Sequence, residues 1–225
     1  MGCRPISDCA RPPSRPIILD LTSELPPVDS ALGAAKRAEI VARLGEFLGA
    51  GRIQHSQNVA DAALSLARRH APELAAQAEL AGLVHDSAKK LRDSELIQLA
   101  ERFDIVITPG ERETPQLLHG KVGAALLPER FGIDDPEVLT AVTDHVCGRA
   151  EMSQLGQILY VADQMAADRI FEGVSELRAA ALVDLRGAVA LVARKKIENV
   201  LTKALWLEPA TVEVWNRFHT TAPQN

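Results

Sequence analysis

Residues 73–90 read Glu-Leu-Ala-Ala-Gln-Ala-Glu-Leu-Ala-Gly-Leu-Val-His-Asp-Ser-Ala-Lys-Lys. Alanine and leucine are strong helix formers. Leu74, Ala78, Leu80, Ala81 and Val84 share one face at helical spacing, so a helix is predicted over about 73–90. At the end of its apolar run stand two ionisable side chains, His85 and Asp86. Neighbouring residues on a helix project about 100° apart. The imidazole can then serve one metal ion while the carboxylate bridges two. Lys89 follows His85 by four positions and Asp86 by three, which stacks it one turn away on the same face.

The same texture extends outward. Ile40, Leu44, Phe47 and Leu48 recur at helical spacing, and Gly49 and Gly51 punctuate that helix. Val59, Ala63, Leu66 and Ala67 form the next stripe, opened by His55 and closed by His70-Ala71-Pro72. Asp93 or Ser94 is placed to cap a helix running to Phe103. Residues 104–116, with Pro109, Gly110 and Pro115, read as a loop. Helices are predicted at 117–130, 135–145, 153–167, 175–200 (with a break at Gly187 left open) and 209–218. Asp135-Pro136 and Glu208-Pro209 look like helix starts with proline in the first turn. No strand alternation of useful length appears. The expected fold class is therefore all-α, a helical bundle over residues 34–218. Six of the thirteen prolines fall before residue 30, so residues 1–33 are expected to be a disordered or loosely docked tail. Residues 219–225 form a short C-terminal tail.

Composition narrows the function. The net charge is −5 and no dense Lys/Arg run occurs, which argues against a duplex nucleic-acid partner. A small anionic substrate stays compatible, because a metal supplies positive charge locally. Cys3, Cys9 and Cys147 show no C-x-x-C spacing, against a disulfide framework or zinc knuckle. No run of 18 apolar residues exists, so no membrane partner is expected. The N-terminus lacks the apolar core of a signal peptide, and Ile6 stands where a myristoylation signal needs Ser or Thr. The expected compartment is the cytoplasm. Nothing in the sequence fixes the oligomeric state.

The chemistry lies in an ordered set: His55, His85, Asp86, His119, His145 and Asp163. Each is in or beside a predicted helix and is flanked by apolar residues. Burying such groups costs roughly several kcal/mol apiece unless they are paired or metal-bound. A lone buried histidine is more often a core residue than a ligand. Four of the six histidines falling into one ordered set with two acids is a different case. Imidazole and carboxylate suit iron, manganese, zinc or cobalt. Arg52 precedes His55 by three positions and, like Lys89, is a candidate phosphate contact. His70 ends a helix, where an imidazolium suits the dipole, and His219 lies in a polar tail. Neither is assigned a site role.

The order His…His-Asp…Asp resembles the HD-domain metal-dependent phosphohydrolases, and His119 and His145 resemble the added ligands of the dinuclear branch. Within it, the chain is similar to the symmetrical bis(5′-nucleosyl)-tetraphosphatases, the YqeK group. The supporting segments are Arg52-Ile53-Gln54-His55-Ser56, Ala81 to Lys89, Leu117-Leu118-His119-Gly120, Gly123-Ala124, Ala141-Val142 before His145, Gly148-Arg149 and Tyr160-Val161-Ala162-Asp163, with Arg169 and Arg178 downstream.

The resemblance implies hydrolysis of diadenosine tetraphosphate at its centre to two ADP. It implies two divalent metals, with iron suggested and manganese or cobalt compatible with the ligands. His55, His85, Asp86 and Asp163 would hold one metal, and Asp86, His119 and His145 the other. Asp86 and Lys89 are the expected catalytic pair. Arg52, Lys89, Arg149 and Arg169 are the expected substrate contacts, with arginine suited to bidentate phosphate binding. Phe103, Phe131, Tyr160 and Phe171 are candidate walls for adenine. One departure stands out: Val146-Cys147-Gly148 replaces the usual Thr-Thr-Gly, so a hydroxyl donor near the phosphates is missing. Rival readings are another HD-type nucleotide hydrolase (a nucleotidase or a guanosine tetraphosphate hydrolase) and a non-catalytic nucleotide-sensing module. The first leaves His119 and His145 without a task, and the second has no need of both metals.

Overall fold

The computed structural model describes residues 29–219. Eleven α-helices and no strand occur among the described residues. They are α1 (Ala34–Leu44), α2 (Ala50–His70), α3 (Ala75–Val84), α4 (Asp93–Arg102), α5 (Pro109–Glu113), α6 (His119–Phe131), α7 (Pro136–Asp144), α8 (Gln154–Met165), α9 (Val174–Val183), α10 (Leu185–Thr202) and α11 (Pro209–Phe218).

Helix α8 runs through the middle. Leu155, Ile158, Leu159, Tyr160, Val161 and Ala162 on it are all fully buried. It packs on α2, α7 and α10, and α2 packs along α3. The α2–α3 contact is unusually close. A Cβ on Gly82 would come within 2.5 Å of the Ala60 Cα, so only glycine lets the two backbones meet. A second, smaller core gathers Ala88, Leu96, Ala100, Leu118, Val122 and Leu126 around α4 and α6. His85 and Asp86 stand at the join, between Val84 of the main core and Ala88 of the smaller one.

Several expected elements differ in detail. The helix predicted over 73–90 is α-helical only to Val84. Beyond it the chain tightens into turns, with Ser87 N donating to Val84 O at 3.0 Å and Lys89 N to Asp86 O at 2.9 Å. His85 and Asp86 therefore leave a tight turn, not a regular helix. Gly51 lies inside α2, so His55 sits in its second turn instead of opening it. The 104–116 loop contains α5, because Thr108 Oγ1 accepts from Glu111 N at 3.1 Å and Pro109 fits the first turn. At α4 neither Asp93 nor Ser94 caps; the Arg92 N–H donates to the Glu95 carboxylate at 2.8 Å. The break in 175–200 falls at Asp184, not Gly187. The Asp184 side chain accepts from Gly187 N at 3.0 Å and starts α10.

Of the tail read over 1–33, residues 1–28 lie outside the described residues, as do 220–225 of the C-terminal tail. Residues 29–33 are docked. Ala31 N and Leu32 N donate to the buried Glu79 carboxylate at 2.7 and 3.0 Å.

Candidate metal centre

Four histidines converge on two carboxylates, and each is anchored from behind. His85 Nδ1 donates to Gly82 O at 2.8 Å, His119 Nδ1 to Gln116 O at 2.5 Å and His145 Nδ1 to Val142 O at 2.7 Å. Each acceptor lies three residues back along the chain. His55 Nδ1 instead donates to Asp168 Oδ2, at 2.8 Å. With Nδ1 holding the proton, every Nε2 presents its lone pair inward, the arrangement that outer partners impose on metal-ligating histidines.

The inward atoms are close. His55 Nε2 lies 3.2 Å from Asp163 Oδ1, and His119 Nε2 lies 3.1 Å from Asp86 Oδ1. His145 Nε2 is 3.7 Å from the same Asp86 oxygen. His85 Nε2 is buried with no hydrogen-bond partner among the described residues, 3.5 Å from Asp86 Oδ2 and 3.9 Å from Asp163 Oδ1. His119 and His145 face each other Nε2 to Nε2 at 3.1 Å. Two imidazole lone pairs so placed repel unless a cation or proton lies between them. His55, His85 and Asp163 form one compact donor group, and His85, Asp86 and His145 another. The donors thus fit divalent metal binding, in the ligand types that first-row ions prefer.

Electrostatics agree with the geometry. Burial works to raise Asp86, yet His85 and the bonds from His119 and His145 hold it well below the usual carboxylate range. Asp163 is likewise held well down against burial, by His55 and by Arg169 and His85. His145 is pushed down to about 4 by burial, with His119 and His85 adding to the effect and Asp86 opposing it. It is therefore neutral and free to ligate near pH 7.

A cleft of about 270 Å³ opens over this cluster. Arg52, Lys89, Arg169 and Lys196 line it beside Asp86, His119, His145 and Asp163. Arg52 Nη1 donates to Asp86 Oδ2 at 2.8 Å, and Arg169 Nη2 to Asp163 Oδ1 at 2.5 Å. Burial lowers the pKa of Lys89, aided by Arg52 and Arg169 and opposed by Asp86. Arg149 does not line the cleft; it pairs with Asp144 at 3.1 Å. Arg178 supports the backbone instead, donating to the carbonyls of Met165 and Ala166. None of the four aromatic candidates lines it either. Phe103 packs on the smaller core, Phe131 on Phe47, Tyr160 is sealed in the main core and Phe171 lies against Lys195.

Three participants carry no motif. Asp168 is a half-exposed loop residue whose partner is 113 positions away. Gln164 Nε2 holds Asp163 Oδ2 at 2.8 Å. Lys196 reaches in from α10 and donates to His145 O and Val146 O at 3.0 and 2.6 Å, with Tyr160 beneath it. In the sequence the one signal for any of the three is that Gln164 adjoins Asp163.

The family model described as HD domain matches residues 52–168, from Arg52 to the carboxylate that orients His55. The chain belongs to the HD-domain family. This HD-domain chain is 34% identical to a symmetrical bis(5′-nucleosyl)-tetraphosphatase of Halalkalibacterium halodurans, over 74% of the chain and 88% of the relative. It is 31% identical to the Bacillus subtilis protein of the same name, over 80% of the chain and 96% of the relative. A crystal structure of an HD superfamily hydrolase from Clostridium acetobutylicum, described as involved in NAD metabolism, matches with a TM-score of 0.77. That match is 37% identical and covers 81% of this HD-domain chain and 96% of the other. The all-α class and the HD resemblance both hold.

Proposed function

We propose that the chain is a symmetrical dinucleoside tetraphosphatase, cleaving diadenosine tetraphosphate and related compounds into two nucleoside diphosphates. The observation that carries this reading is the set of four Nδ1-anchored histidines aimed at Asp86 and Asp163, beneath a cleft lined by four basic side chains. Curated relatives of that name, similar over most of their length, support it.

In this proposal His55, His85, Asp86 and Asp163 would hold one divalent metal, and Asp86, His119 and His145 a second, with iron the favoured ion. When bound, such a pair supplies Lewis acidity and lowers the pKa of water. The chain's own residues do the rest. Arg52 and Arg169 rest on Asp86 and Asp163 at the cleft wall, where they are placed to contact phosphate oxygens. Lys89 lies on the cleft wall near His119 and contacts the scissile phosphoryl group, where charge builds in the transition state. Gln164 keeps Asp163 in orientation. The symmetrical cut follows from seating the middle of a polyanion over one cluster. No helix among the described residues is long and apolar enough to cross a membrane. The cytoplasm is the proposed compartment, in keeping with Cys147 forming no disulfide among the described residues.

The test is direct. Incubate the purified chain with diadenosine tetraphosphate and iron, manganese, cobalt or zinc in turn, then resolve ADP, AMP and ATP. ADP alone is the expected product. AMP with ATP, or no turnover with any metal, overturns the reading.

A further inference from the structure

Val146 and Lys196 form a partition. On one side is the metal cleft, and on the other a second cleft of about 210 Å³. The second is different in kind. Val146, Cys147, Val200 and Trp206 line it, and Asn199 stands at its exposed rim. Together the two clefts reach the size of ordinary small-molecule sites, about 300–1,000 Å³. One compartment is charged and the other largely apolar, which is the division of a nucleotide.

Trp206 is held for this place and not for the core. It remains 43% exposed. Its indole edge rests on Gly110, where a Cβ would come within 2.3 Å of Cδ1 and 2.5 Å of Nε1. Glu208, two residues on, accepts from Thr108 Oγ1 at 2.8 Å. Thr211 Oγ1 donates to Cys147 O at 3.1 Å and ties the start of α11 to the loop behind His145. A partly exposed tryptophan whose edge is held on Gly110, beside the metal cleft, is a stacking surface. The Asn199 amide offers one donor and one acceptor, the pair that matches the N6/N7 edge of adenine. Val146 and Cys147 make the near wall apolar where hydroxyl side chains would have drawn it toward phosphate.

We propose that this second cleft seats a purine base of the substrate, stacked on Trp206 with its edge toward Asn199, while Val146 is the threshold between base and phosphates. The proposal rests on the dinucleotide reading above.

Calorimetry separates the two ideas. ADP and inorganic pyrophosphate are titrated into the metal-loaded full chain, its Trp206→Ala variant and its Trp206→Phe variant, and turnover of diadenosine tetraphosphate is measured on each. Trp206→Ala is expected to weaken ADP about tenfold, the scale of one base–aromatic stack. Pyrophosphate binding stays unchanged, the KM for diadenosine tetraphosphate rises by a similar factor, and Trp206→Phe recovers most of both. Equal ADP affinity in wild type and Trp206→Ala, or an equal loss for ADP and pyrophosphate, overturns the base site while leaving the activity intact. A wild-type chain that prefers ADP over pyrophosphate through Trp206 yet cleaves no dinucleoside tetraphosphate sinks the proposed activity and keeps the base site.

Discussion

The carboxylate of Asp168 lies 2.8 Å from Nδ1 of His55, and Asn58 Nδ2 donates to its other oxygen at 3.0 Å. The acid that orients this histidine is thus itself oriented, from the same helix that carries the histidine. Outer partners of this kind typically add about 10–100-fold to metal affinity. Asp168→Ala should therefore weaken metal binding by about that range and leave the melting temperature of the metal-free chain nearly unchanged. Competition against a chelator measures the first and thermal denaturation the second. Unaltered metal affinity would show that His55 needs no support.

Asp86 and Lys89 separate by role. The Asp86 carboxylate lies near three imidazoles, at 3.1, 3.5 and 3.7 Å. Asp86→Ala is expected to empty the centre and abolish hydrolysis. Lys89→Ala should retain full metal content and lose turnover by ~100-fold or more, as single transition-state donors commonly do. Elemental analysis and steady-state kinetics on both variants decide. A Lys89→Ala chain with full metal and an unchanged rate contradicts the phosphate contact.

His145 predicts a pH dependence of the metal-free protein. Burial lowers its folded pKa to about 4, against an ordinary value of about 6.5. Between these values the unfolded chain binds a proton that the folded chain refuses. Stability from this group is complete above about pH 6.5 and is lost as pH falls toward 4. His85 has a raised pKa and works in the opposite sense: its contribution is complete below its unfolded value and is lost as pH rises through its folded one. Urea midpoints at pH 7 and pH 4.5, compared between the wild type and His145→Gln, isolate the first term. The wild type should lose more on acidification; an equal loss in both refutes it.

Glu79 predicts where the chain can be shortened. This fully buried carboxylate accepts from Ala31 N, Leu32 N and Arg37 Nη1. A chain beginning at Asp29 should melt like the full-length protein. One beginning at Ala34 loses two donors to a buried acid, a cost of about 1–3 kcal/mol. That amounts to a drop in Tm of a few degrees for a domain of this size. Identical melting of the two shortened chains, followed by circular dichroism, would show that water replaces those donors freely.

The bundle and the six-residue cluster were legible because both rest on local contrasts. Alanine and leucine at helical spacing announce a helix, and an ionisable group inside an apolar run announces a compensating partner. Features that depend on another element were not legible. Asp168 gains its role from His55, and Trp206 from Gly110. Nothing near either in sequence hints at the pairing. Two details turned on local competition. Asp184 outcompetes Gly187 as a boundary because a carboxylate can satisfy a free N–H and a glycine cannot. The chain after Val84 leaves the α-helix for tight turns, and alanine-rich composition gives no warning of that. Arg149 was assigned to phosphate by resemblance, yet Asp144 claims it at 3.1 Å.

The meeting of Gly82 with Ala60 has a further consequence. His55 and His85 lie on either side of that contact, and their rings sit 5.4 Å apart. Two backbones in touch cannot approach more closely, so this span behaves as a fixed caliper. The opposite jaw, carrying His119 and His145, is closed the same way: a Cβ on Gly120 would come within 3.0 Å of Val142 O and 3.1 Å of Thr143 O. Adjustment to ions of different radius should then fall between the two jaws, with each pair of helices moving as a unit. A methyl group added at residue 82 would meet the Ala60 backbone at 2.5 Å and drive the His55 and His85 helices apart.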